Sequence, residues 1–269
     1  MRPQPPAEAT RAHTGTAVAD RGSPWIIRSD RQPPGEIRLF CLPYAGAGAS
    51  VYNGWDVGLP DRIEVAAVQL PGRERRYGEP LHQHMDELVD RLVEEITPWL
   101  DRPYALFGHS MGARIACALA HRLRAEGFSS PLRLFASASP GPVLRLPVGS
   151  DDSSDASVVS WLRYLGGTPD EVLDNPDLLE LVLPVIRADV EIVRSWGDAP
   201  RRPLDCPIRA FAATGDDYAT PERVRAWNQE TSARFALTVV PGGHIFLQER
   251  ARTLFRTIAN DLAGDGDRA

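Results

Sequence analysis

Short apolar runs alternate with amphipathic stretches from Glu36 almost to the end of the chain. Ile37 to Leu42 reads as a strand stopped by Pro43, and Ile63 to Leu70 as a second strand closed by Pro71-Gly72. Met85 to Leu100 carries apolar residues at Leu88, Leu92, Val93, Ile96 and Leu100, a helical spacing. Tyr104 to Phe107 is apolar again, and Ala113 to Ala120 opens a helix that runs to about Arg124 and ends at Gly127. Strands are predicted at Leu132 to Ala138, Pro207 to Ala213 and Phe235 to Val240. Thr220-Pro221-Glu222 has the cap and first-turn residues of a helix start, and Glu249 to Leu262 is amphipathic. Strands that alternate with helices predict a mostly parallel central sheet with helices on both faces.

Residues 143–203 break the alternation. The stretch begins polar and acidic, then carries bulky apolar residues at helical spacing, from Trp161, Leu162 and Leu165 to Leu183, Val185 and Ile186. An apolar helical insertion just before the strand at 207–213 predicts a lid that packs over a site. Residues 1–34 are rich in Pro, Ala, Arg and Thr with no apolar core. They are expected to be a disordered tail, or an over-called start, leaving one domain at 35–265.

Between the strand at 104–107 and the helix that follows lies Gly108-His109-Ser110-Met111-Gly112. A G-x-S-x-G at a strand-to-helix turn is the nucleophile elbow of the α/β-hydrolase fold. The serine sits on a tight turn that lifts its hydroxyl above the sheet, and the glycines let backbone pack on backbone. Serine is too weak an acid to attack a carbonyl unaided, so it needs an imidazole base oriented by a carboxylate.

In this fold the order along the chain is serine, acid, histidine. His244 follows the last predicted strand in Pro241-Gly242-Gly243-His244 and is the expected base. His13, His82, His84, His109 and His121 are expected to be solvated or structural. The acid should follow the strand ending near Ala213, where Asp216 and Asp217 are adjacent candidates. The oxyanion hole needs two backbone N–H groups. One is the amide of Met111; the other is expected from the Pro43 to Gly48 loop, at Ala45. That loop lacks the Lys-Ser/Thr of a phosphate-binding P-loop.

Composition removes some functions. Thirty basic against 36 acidic residues leave a net charge of −6, with no basic stripe, which argues against nucleic acid. No run of eighteen apolar residues predicts a membrane span. The three cysteines, Cys41, Cys117 and Cys206, lie in or beside apolar runs and are expected to be buried free thiols in a reducing cytoplasm. No metal or resident cofactor is expected.

Several ordered segments resemble the type II thioesterases that accompany modular polyketide synthases and nonribosomal peptide synthetases. Leu42-Pro43-Tyr44-Ala45-Gly46 is similar to that family's oxyanion loop, and Gln69 to Arg76 to its LPGR segment. Phe107 to Ala113 is similar to its elbow. Leu165 to Pro169 and Leu183 to Asp189 are similar to its lid helices, and Pro241 to Leu247 to its histidine loop. The family's register from Pro207 implies Asp216 as the acid, although Ala213 stands where the family usually has glycine.

The resemblance implies an enzyme that hydrolyses acyl thioesters from the phosphopantetheine arm of acyl or peptidyl carrier domains, editing stalled acyl groups; a monomer is expected, although the oligomeric state is not readable from the chain. The phosphopantetheine would arrive with the substrate. The run Arg73 to Arg76 is expected to be a solvated charge cluster, with contact to the carrier protein or its phosphate as the alternative. The same residues are compatible with a small-ester hydrolase, with an acyltransferase using the same acyl-enzyme, or with a carrier-binding module without chemistry.

Overall fold

A computed structural model describes residues 23–28, 34–144, 154–196 and 201–265 of the chain. Most of the tail at 1–34, with His13, and the acidic start of the insertion at 150–153 lie outside the described residues. The six expected strands and one that was not expected, β1, form one sheet: β1 (Ile26–Arg28), β2 (Ile37–Leu42), β3 (Ile63–Val68), β4 (Tyr104–His109), β5 (Leu134–Ser137), β6 (Ile208–Ala213) and β7 (Phe235–Val240). Their spatial order is β1-β3-β2-β4-β5-β6-β7, all parallel except β1.

Helices cover both faces: α1 (Trp55–Gly58), α2 (Met85–Ile96), α3 (Met111–Ala125), α4 (Asp155–Leu165), α5 (Asp170–Leu173), α6 (Pro176–Ser195), α7 (Pro221–Arg225) and α8 (Ala251–Asp265). One apolar cluster joins α2 and α3 to the sheet through Leu92, Ile96, Leu119 and Leu123. The other joins α1 and α8 to it through Trp55, Phe107, Leu254 and Ile258. Buried on both sides, β2 to β5 read as continuous apolar runs rather than alternating ones.

The helices form for local reasons that the pattern carried. In α2, Met85, Leu88, Val89, Leu92, Val93 and Ile96 make one buried stripe, and each large side chain contributes about 1.5–3 kcal/mol of burial. The helix stops at Ile96 rather than Leu100. Pro98 cannot donate to the i−4 carbonyl, so residues Thr97–Trp99 close as a tighter 3₁₀ turn. In the insertion, the Ser154 hydroxyl caps α4, and the Asn175 side chain caps α6 ahead of Pro176. Leu162, Leu173 and Ile186 form a small core between the three inserted helices. Ser195 at the end of α6 accepts from the amide of Met85, which ties the insertion to α2.

Residues 23–28 correct the expected tail. Ile26, Ile27 and Arg28 pair antiparallel with Val68, Ala67 and Ala66, making β1 the edge of the sheet. Trp25 is buried beneath the guanidinium of Arg76, 4.2 Å from its ring. One tryptophan and two isoleucines are enough apolar surface to hold three residues on a sheet edge, yet too few to show a period. Replacing Trp25 by Ala should destabilise the fold by about 3–5 kcal/mol, read as a lower urea midpoint with an unchanged slope.

Candidate active site

The site lies at the C-terminal ends of the parallel strands, where chain connections leave the sheet in opposite directions. β2 leads to β3 on one side and β4 lies on the other, so the loops after β2 and β4 face each other across a crevice. Ser110 is the hinge between β4 and α3, with φ 54° and ψ −115°. Such backbone strain costs on the order of 1–3 kcal/mol and persists only where its surroundings enforce it. Here the Ser110 amide donates to the Ser137 carbonyl at 2.7 Å. The two motif glycines are required by contact rather than by φ. A Cβ on Gly108 would sit 2.1 Å from the Gly112 carbonyl oxygen, and one on Gly112 would sit 2.2 Å from that of Leu42.

His244 and Asp216 meet Ser110 in a line. His244 Nε2 lies 3.0 Å from Ser110 Oγ, and Nδ1 lies 2.7 Å from Asp216 Oδ2. An ionised carboxylate only accepts, so Nδ1 carries the proton and Nε2 is left to accept from the serine hydroxyl. The other oxygen of Asp216 accepts the amides of Tyr218 and Ala219 at 3.0 and 2.8 Å. Burial alone would raise the Asp216 carboxyl. The His244 hydrogen bond and charge, with the two amides, outweigh it and hold the group below its ordinary value.

The two adjacent aspartates are thereby separated: Asp216 is buried and faces the imidazole, whereas Asp217 is exposed. Ala213 causes no disturbance, because the loop contact falls at Gly215. There the Gly215 amide donates to the Gly242 carbonyl at 2.8 Å, joining the acid and histidine loops.

The loop after β2 places Ala45 on the same cavity wall as Ser110 and Met111. Tyr44 to Ala47 close a type II turn, with Gly46 at φ 80° and the Ala47 amide donating to the Tyr44 carbonyl at 3.1 Å. The Gly46 amide donates to Asp189 on α6 at 2.7 Å. Asp189 is fully buried and also holds Arg73 in a bidentate pair at 2.6 and 2.9 Å.

Arg73 and Arg76 therefore overturn the expected solvated cluster. Arg73 ties the segment after β3 to the insertion and the β2 loop, while Arg76 donates to the Gln69 carbonyl and pairs with Glu79. Only Glu74 and Arg75 of the run are exposed. A charge run in sequence does not reveal a carboxylate that comes from more than a hundred residues away.

His109 is the residue that sequence reasoning undervalued. Its side chain is buried against the site, with Nε2 3.0 Å from the His244 carbonyl and Nδ1 3.0 Å from Ser137 Oγ. A carbonyl only accepts, so His109 donates from Nε2 and accepts from Ser137 at Nδ1. It is a neutral strut under the histidine loop. Burial first, then the nearby His244, pushes its pKa down to about 3.

The remaining expected residues are placed plainly. His82 packs near Trp25, and His121 accepts from Arg124. All three cysteines are buried free thiols. Cys117, His121 and Glu230 bring their ligand atoms within 4.8 Å of one another. Arg124 donates to His121 Nδ1, His121 Nε2 has no hydrogen-bond partner, and the charges of Arg201 and Arg114 bear on Glu230. Among the described residues no helix is long and apolar enough to cross a membrane.

Strand order, elbow and loop placement define an α/β-hydrolase. Residues 37–262 match the thioesterase domain family, and the chain belongs to that family. The gramicidin S biosynthesis protein GrsT of Aneurinibacillus migulanus is 36% identical over 241 residues, covering 88% of this chain and 93% of GrsT. Among solved structures, the type II thioesterase BorB from the borrelidin biosynthetic cluster aligns with a TM-score of 0.79 at 36% identity. That alignment covers 90% of this chain and 98% of BorB. The RedJ thioesterase from the prodiginine pathway of Streptomyces coelicolor also gives 0.79 at 36% identity, over 87% and 94% of the two chains.

Two outcomes follow from the buried polar contacts. Asp189→Asn leaves the Arg73 guanidinium buried without its counter-charge and should cost about 3–5 kcal/mol in urea unfolding. His109 is neutral when folded but protonates below its ordinary value of 6.5 when unfolded. Its contribution is therefore complete above pH 6.5 and is lost as pH falls toward 3, before the lowered Asp216 carboxyl adds a further loss below 3.8. His109→Gln should flatten the stability–pH slope between pH 6 and 4 by about 1.4 kcal/mol per unit, measured by denaturation across that range.

Proposed function

We propose that the chain is a type II thioesterase that hydrolyses acyl thioesters from the phosphopantetheine arm of carrier proteins, releasing stalled acyl groups on a polyketide or nonribosomal peptide assembly line. The hydrogen-bonded line Ser110–His244–Asp216 carries this reading within a chain of the thioesterase family.

Ser110 is the nucleophile. Its Oγ bonds to the thioester carbonyl carbon while His244 Nε2 takes the hydroxyl proton, and the negative charge moves to the carbonyl oxygen. The amides of Met111, at the first turn of α3, and of Ala45 receive that oxyanion, each worth about 3–4 kcal/mol of barrier. The C–S bond then breaks, and His244 returns the proton to the departing pantetheine sulfur. A water molecule deprotonated by His244 repeats the attack and frees the acid and Ser110. Asp216 keeps the proton on Nδ1 throughout and stabilises the imidazolium.

The helical insertion serves as the lid. Trp161 of α4 and Val190 and Val193 of α6 wall the cavity beside Ser110. On the far side of Ala45, a groove of about 410 Å³ runs between the Tyr44 to Gly48 loop, Arg73 to Tyr77 and α6. It is the path we assign to the pantetheine arm and its carrier domain. The phosphopantetheine comes with the substrate, so no resident cofactor enters the reading. Buried free thiols suit a cytoplasmic enzyme, which we take to act as a monomer.

Turnover of acyl-carrier protein against the matched oxoester tests the assignment. The thioester should be the better substrate and free acid the product; preference for the oxoester, or transfer of the acyl group to another acceptor, would overturn it. Ser110→Ala should abolish turnover while carrier binding persists. Asp216→Asn should lower kcat on the order of 10⁴-fold through the wrong imidazole tautomer, with Asp217→Asn close to wild type.

A further inference from the structure

The cavity beside Ser110 is small, about 20 Å³, roughly the space that one water-sized group occupies. Its wall holds an unusual residue. Arg114, one helical turn into α3 from Ser110, is 4% exposed. Side chains on a helix lean toward its N-terminus, and Arg114 lines the same cavity as Ser110 and Met111. Among the described residues no carboxylate lies within ion-pair distance of it. Its Nη2 reaches only the carbonyls of Pro140 and Leu144, both at a long 3.4 Å, and Trp196 lies 5.9 Å away. Its Nε has no hydrogen-bond partner.

A second donor in the same wall is also unspent: the indole N–H of Trp161 on α4 is buried and unpartnered. The one carboxylate lining the cavity, Asp189, is already held by Arg73 and the Gly46 amide. Glu230 acts on Arg114 only from beyond ion-pair distance; burying a guanidinium without a hydrogen-bonded counter-charge is costly, and native proteins seldom leave such donors idle. Two idle donors suit an acceptor oxygen that arrives with the substrate.

We propose that Arg114, assisted by Trp161, binds an acceptor oxygen on the third carbon of the acyl group, so that the enzyme favours short β-oxygenated acyl thioesters over plain alkyl ones. The inference rests on the reading of Ser110 as nucleophile. Arg114 and Trp161 share a wall with Ala45, Ser110 and Met111, so an acyl group whose carbonyl lies between Ala45 and Met111 meets them within a few bonds. A keto oxygen or a carboxylate satisfies the donors equally in kind, whereas an ammonium group at that depth would meet Arg114 with like charge.

The test uses N-acetylcysteamine thioesters of three acyl groups of similar length: butyryl, acetoacetyl and malonyl. The readout is the ratio of kcat/KM for each oxygenated acyl group to that for butyryl, taken within one protein. Loss of fold scales all three substrates alike, and their intrinsic electrophilicities cancel between proteins. Arg114→Met should lower the ratio by about tenfold or more, the scale of a hydrogen bond to a charged donor. Arg114→Lys should keep part of it, retaining the charge but losing the fork. Trp161→Phe, which keeps the ring and removes only the N–H, should lower it by a few-fold.

A fall for malonyl alone assigns the ligand as a carboxylate, and a fall for acetoacetyl alone as a ketone; either supports the proposal. Ratios unchanged in Arg114→Met, or in Trp161→Phe and Arg114→Lys together should the first variant not fold, overturn it and leave the thioesterase reading intact. Wild-type enzyme inert toward all three would overturn the reading of Ser110 and this inference with it.

Discussion

Backbone lies directly on backbone where β4 turns into α3, and most of the site depends on that contact. Gly112 presses on the Leu42 carbonyl and Gly108 on the Gly112 carbonyl, at separations that exclude any Cβ. The contact locks the first turn of α3 to the end of β2. It therefore sets the distance between the Met111 amide and the loop that carries Ala45. The same crossing forces Ser110 into its left-handed conformation and lifts its hydroxyl toward His244. The strain is offset by the Ser110–Ser137 backbone bond and by the burial of α3.

A second constraint links the insertion to this frame. Asp189, contributed by α6, holds the turn after β2 through Gly46 and the segment after β3 through Arg73. Buried ion pairs are weak evidence of net stability but are intolerant of losing one partner. The pair thus acts as a positional device that fixes the Ala45 loop and the segment after β3 to α6. Trp161 reaches the site from α4 and packs edge-on against Tyr218, which in turn packs edge-on against His244. The lid assigned to the insertion is in this way mechanically continuous with the imidazole.

Much was legible because the signals are local. A strand, a tight turn with two small residues and a helix identify the elbow from a dozen consecutive positions, and a glycine pair before His244 marks a return loop. Other features were illegible for equally physical reasons. Asp216 and Asp217 have the same chemistry and neighbouring positions; what separates them is that one side chain turns inward to two amides and an imidazole. Arg73 looks like part of a solvated run until α6 brings a carboxylate to it. His109 looks idle because its partner is a carbonyl 135 residues away. The three residues of β1 are too short to show a period, and pairing with β3 alone identifies them.

From order and spacing alone, the chain determined its class of fold and marked Ser110 and His244 as the pair to be brought together, since each signal depends on residues that are neighbours along the backbone. The tertiary structure decided which aspartate faces the histidine, which arginines are buried, and that Arg114 and Trp161, each with an unpartnered buried donor, line the cavity beside Ser110. Those outcomes depend on desolvation and on partners from distant segments. Both are set by where the chain packs in space, and no local window contains them.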